Sequence, residues 1–131
     1  MLYPYQAKKP CQPKTTMTEQ INRDQNWLNE ARSRYIESGS KKISDLEQAI
    51  EEVKSDPENK NQKRRLGRLL HNLIGSGASY GFPEISEIAR YMAECIKSKS
   101  KNEPRLDEET IKNLQRSLNR LRDLFKKLQA Q

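Results

Sequence analysis

Apolar residues recur along most of this 131-residue chain at steps of three and four, the spacing that gathers side chains on one side of an α-helix. The clearest stripe is the last, where Ile111, Leu114, Leu118, Leu121, Phe125 and Leu128 predict a helix from about Asp107 onward with one face turned into a bundle. Between about Glu19 and Lys54 the series Trp27, Ala31, Tyr35, Ile43, Leu46, Ile50 and Val53 has the same spacing. Gly39-Ser40 is the one expected break there, so either two short helices or one bent helix fits. Ser55-Asp56-Pro57-Glu58 reads as a helix start, with Asp56 able to cap free amides and Pro57 suited to the first helical position. That helix is expected to run to about Tyr80. Gly81 ends it by tolerating a left-handed backbone, and Pro83 opens a further helix with Ile85, Ile88, Ala89, Met92 and Ile96 on its apolar side. The two should form an antiparallel hairpin, followed by a polar linker over Ser98 to Pro104. No segment alternates apolar and polar residues as a half-buried strand does, so the predicted class is all-α.

Composition narrows the picture. With 33% hydrophobic and 33% charged residues the chain suits one domain and is too polar for a membrane span. Residues Met1 to Thr18 hold Lys8, Lys9, Lys14 and three prolines, with no acid and no continuous apolar run of a secretion signal. They are expected to form a disordered tail ahead of a domain spanning 19–131. The tail carries +3 of the formal net charge of +7, which leaves +4 for the domain. Cys11 falls in the tail and Cys95 on a helix, so free thiols in a reducing cytoplasm are expected rather than a disulfide.

The candidate chemistry centres on His71, the only histidine in the chain. At about 100° per residue, Leu66, Leu69, Leu70, Leu73, Gly77 and Tyr80 gather on one side of the helix, and Arg64, Gly67, Arg68, His71, Gly75 and Ala78 on the other. His71 should therefore stand on the solvent face, with Gly67 one turn before it and Gly75 one turn after. Two glycines inside a helix cost about 1 kcal/mol each relative to alanine, and close access to the ring is the simplest reason to place them there. No second histidine, paired-cysteine spacing or nearby acidic cluster accompanies His71, which argues against a zinc site or a Cys/His nucleophile pair. Gly75-Ser76-Gly77 lies within a helix and is not a phosphate loop.

His71-x-Leu73-x-Gly75, the Ser79-Tyr80-Gly81-Phe82-Pro83 turn, Glu84-Ile85 and Ala89 resemble the histidine phosphotransfer (HPt) domain, over roughly residues 25 to 130. The resemblance implies an antiparallel four-helix bundle, here with an additional or bent N-terminal helix. It implies that His71 takes a phosphoryl group from one receiver-domain aspartate and passes it to another. The implied partners are response-regulator receivers or a hybrid sensor histidine kinase, and the receiver would bring the magnesium, so no cofactor is expected on this chain. A phosphocarrier without kinase activity of its own, a monomer, is the expectation. The chain departs from the family at Ile74, where many members carry lysine. Arg64, Gly67, Arg68, Ile74, Gly75 and Ala78 are the candidate surroundings of the phosphoryl group and the receiver.

Lys60, Lys63, Arg64, Arg65 and Arg68 form a basic run without an acid, and only Arg64 and Arg68 share the phase of His71. They are the two expected to attract an acidic receiver pocket. A phosphate-independent adaptor is the main alternative, kept open by Ile74. Nucleic-acid binding is the weaker one, because eighteen acids dilute the charge and no recognition-helix motif is evident.

Overall fold

Burial follows the stripes. In the computed structural model, which describes residues 17–97 and 106–131, five helices form: α1 (Met17–Glu37), α2 (Gly39–Ser55), α3 (Lys60–Ser79), α4 (Pro83–Lys97) and α5 (Glu108–Gln129). No strand occurs among the described residues. Helices α2 to α5 make a closed ring of four, in which α3 packs on α2 and α4, and α5 packs on α4 and α2. Each contributes one apolar stripe to a single core, led by Leu46, Ile50 and Val53 of α2, Leu66 and Leu70 of α3, Ile85 and Met92 of α4, and Leu114 and Leu121 of α5. The chain is an all-α four-helix bundle with a bent N-terminal helix.

The bend lies at Ser38. Helices α1 and α2 meet there with the ladder nearly unbroken, since Ser38 N donates to Arg34 O and Lys42 N to Ser38 O. Gly39 is needed just after the bend because the Phe125 ring of α5 lies against its backbone; a Cβ there would clash with Phe125 Cδ1. Only Tyr35 and Ile36 of α1 are buried. Trp27, expected on the inward stripe, is 69% exposed, because the first half of α1 extends past the end of the bundle and meets no facing helix.

A second departure concerns the start of α3. Asp56 and Pro57 do not open this helix; Asp56 is the residue that closes α2, its N–H donating to Glu52 O. The cap is Asn59, whose side chain accepts from the N–H groups of Asn61 and Gln62 at 2.9 and 3.2 Å. Proline at 57 is compatible with a turn as well as with a first helical position, and the better-placed Asn59 decides between them.

At the other end of α3 the expected turn forms. Gly81 takes φ 84°, and Phe82 N donates to Gly77 O at 2.7 Å, which closes the helix. Pro83 begins α4, and the Asp107 side chain caps α5 by accepting from Thr110 N at 2.8 Å. Met17 and Thr18, assigned to the tail from sequence, belong to α1. The rest of that tail with Cys11, and the linker Ser98 to Pro104, lie outside the described residues.

Leu70 is fully buried and Leu118 nearly so, both within the single core cluster. Leu70→Ala and Leu118→Ala should each lower the unfolding free energy by about 2–5 kcal/mol. Chemical denaturation read by circular dichroism checks this, and a loss under about 1 kcal/mol at either site would contradict the burial described.

Candidate functional site

The site is a consequence of how α3 is rotated. With Leu66, Leu70, Leu73 and Gly77 buried, the opposite face of the helix is left to solvent, and Arg64, Arg68, His71, Gly75 and Ala78 are all exposed on it. Gly67 and Ile74 lie at its borders, half-buried. The His71 imidazole makes no hydrogen bond or ion pair with any described residue, so both ring nitrogens are free to meet an incoming group.

Three glycines of α3 divide by function. A Cβ added at Gly67 or Gly75 would have nothing within 4 Å, so neither is required by packing. Gly77 is the opposite case: a Cβ there would lie 3.0 Å from the backbone N of Ser86, and its absence lets α4 approach. The same approach allows the Ser86 hydroxyl to donate to Ile74 O at 2.8 Å. Gly77 therefore locks the hairpin, while Gly67 and Gly75 leave room around the ring.

Beside His71 a groove of about 850 Å³ runs between α3 and α4. Arg64, Gly67, Arg68, His71 and Ile74 line it from α3, and Ala93, Ile96 and Lys97 from α4. Gly75 and Ala78 continue the exposed face past the groove and do not line it. Of the six expected surroundings, four thus converge with the histidine and two flank it. The α4 wall went unnoticed in the sequence because it is more than twenty residues from His71, although the step of three and four from Ala93 to Ile96 and Lys97 is the signal that would have found it.

The lining holds four cationic residues, Arg64, Arg65, Arg68 and Lys97, and no carboxylate. Arg65 is engaged by Glu52 of α2. Arg64, Arg68 and Lys97 have no hydrogen-bond or ion-pair partner among the described residues. An unpaired nucleophilic ring beside unpaired cations suits an anionic electrophile.

Behind this face α1 braces the end of α3. The Tyr35 and Ser76 hydroxyls share a hydrogen bond at 2.8 Å, and the Tyr35 ring stacks on Tyr80 at 4.7 Å and on Phe82 at 5.9 Å. Arg32 Nε donates to Tyr80 O at 2.9 Å. Burial raises the Tyr35 pKa above its ordinary value despite the bond to Ser76, so its hydroxyl stays protonated at neutral pH. Burial also lowers the Lys42 pKa; this ammonium donates to Ser38 Oγ and lies 4.9 Å from the Tyr35 ring centre.

The class that the fold defines is a four-helix bundle with one exposed histidine on a glycine-flanked helix face. A family model, the Hpt domain, matches residues 30–131, and the chain belongs to that family. Membership implies a part in phosphorelay histidine phosphotransfer as a phosphocarrier, in the company of receiver domains or kinases. Comparisons with curated proteins and with solved structures gave no match. Among the described residues no group of three or more His, Cys, Asp and Glu is placed to hold a metal ion, and no helix is long and apolar enough to cross a membrane.

The open space at Gly67 and Gly75 has a thermodynamic corollary. Gly67→Ala and Gly75→Ala should each raise stability, by up to about 1 kcal/mol, because the helix propensity of alanine is gained without a clash. Thermal unfolding of the two variants checks it, and a lower melting temperature in either would mean that the glycine is structural.

Proposed function

We propose that His71 is the phosphoryl acceptor, and that the chain shuttles a phosphoryl group between receiver-domain aspartates. The single observation that carries this reading is the exposure of an unpartnered imidazole between two glycines that packing does not require. In the forward step the lone pair of a ring nitrogen forms an N–P bond to the aspartyl phosphate of the receiver. The P–O bond breaks, its electron pair leaves on the aspartate carboxylate, and water takes the proton from the second ring nitrogen. The reverse step returns the phosphoryl group to a second receiver. The energy difference between an acyl phosphate and a phosphoramidate is the partner's chemistry; this chain contributes a positioned ring and charge neutralisation. Magnesium would come with the receiver.

The groove fits such a partner. Ile74, Ala93 and Ile96 offer apolar surface beside the ring, and Arg64 and Lys97 offer charge to an acidic pocket. An adaptor that docks the same partner without carrying phosphate would use this surface too, but would have no use for open space around the ring. Nucleic-acid binding is not favoured, because eighteen acids dilute the basic charge and no recognition-helix motif is evident.

Incubation of the chain with a phosphorylated receiver should give one acid-labile phosphate, located on His71 by mass spectrometry and lost in His71→Gln. Label that persists in His71→Gln, or none in the parent with several receivers, would overturn the proposal. Gly75→Leu should keep or raise stability while slowing transfer at least tenfold, since a leucine one turn past the ring obstructs a docking protein. Transfer at the parent rate would show that access over Gly75 is not needed.

A further inference from the structure

Four helix positions can reach the space around the His71 ring from α3 itself: Gly67 and Arg68 in the turn before it, Ile74 and Gly75 in the turn after. Two have no side chain and one is aliphatic. Arg68 is the only one of the four able to donate a hydrogen bond, and it is exposed and without a partner among the described residues. Side chains on an α-helix lean toward its N-terminus, so the imidazole projects over the turn that holds Gly67 and Arg68, not over Ile74 and Gly75. Gly67 leaves that space empty.

We infer that the phosphoryl group, once on His71, lies over Gly67 and is held by the Arg68 guanidinium, so that the phosphate-binding residue of this chain stands in the turn before the histidine. This inference rests on His71 as acceptor. A guanidinium presents a planar fork of N–H donors that matches two oxygens of a phosphoryl group, and its charge offsets the dianion formed on the ring. Arg64 lies a further turn away in the same groove, and Lys97 faces it from α4. Arg68 alone of the three is within one turn of the ring along the helix.

The test separates this contact from the docking of any receiver. The full chain is phosphorylated with phosphoramidate, whose P–N bond breaks with release of ammonia as the N–P bond to histidine forms. The decay of the phosphohistidine is then followed by phosphorus NMR. The phosphohistidine of Arg68→Ala should decay about tenfold faster than that of the parent, the lower end of what one charge-assisted hydrogen bond supplies. Arg64→Ala should decay more slowly than Arg68→Ala, and Arg68→Lys should fall between the parent and Arg68→Ala. Lys54→Ala, which removes an exposed cation outside the groove, should decay at the parent rate. Ile74→Lys in the Arg68→Ala background should restore part of the lifetime, because a donor in the following turn can then reach the group. Equal lifetimes for the parent and Arg68→Ala would overturn the inference, as would equal losses in Arg64→Ala and Arg68→Ala, which would reveal a diffuse field in place of a contact. Because the donor is a small molecule, a protein that fails with receivers but shows the Arg68 effect here loses the phosphorelay reading and keeps this one.

Discussion

The rotation of α3 about its axis is the constraint on which everything else depends. Burying Leu66, Leu70, Leu73 and Gly77 is possible in one orientation only, since turning the helix by half would put Arg64, Arg68 and His71 into a core that offers them no partner. Burial of an unpaired charge costs far more than any single apolar contact returns. The contacts at the far end of the helix then hold the rotation. Ser86 binds Ile74 O on one side, Tyr35 binds Ser76 on the other, and the backbone of α4 lies against Gly77. His71 is therefore placed by groups that never touch it.

That arrangement holds the exposed face of α3 in place with little other machinery. His71 stands on a helix fixed from both sides, not on a loop, so its backbone position is set by the fold. Openness is supplied by leaving out side chains at Gly67 and Gly75, at a cost in helix propensity that the bundle core absorbs. The same residue type at Gly77 and Gly39 serves the opposite purpose, close contact with α4 and with Phe125.

Charge is distributed with similar economy. Arg65 is drawn aside by Glu52, and Arg122 by Glu47, which ties α5 to α2. Three of the cations without a hydrogen-bond or ion-pair partner among the described residues, Arg64, Arg68 and Lys97, share one groove. Such exposed charges act over about 10 Å at 0.1 M salt and less at higher salt, so their field is felt at close range and contributes little to the stability of the bundle.

The 3.6-residue repeat made much of this legible in the sequence. The phase of His71 against Leu66, Leu70 and Leu73, the Gly81-Phe82-Pro83 turn and the seam of α5 are local properties, set by bonds and side chains within one or two turns, and they stand in the structure as the sequence implies. What depended on distant neighbours was not legible. Trp27 has the spacing of a core residue and is exposed because no helix faces the first half of α1. Asp56 and Pro57 have the chemistry of a helix start and form the end of α2 and a turn, because Asn59 caps α3 in their place. Lys97 and Ile96 complete the groove only because α4 folds back along α3, and Arg65 leaves the site only because Glu52 of α2 comes within reach. The three glycines of α3 look alike along the chain, and the tertiary structure alone decides that two open a site and one closes a contact, since a missing side chain takes its meaning from what stands opposite it.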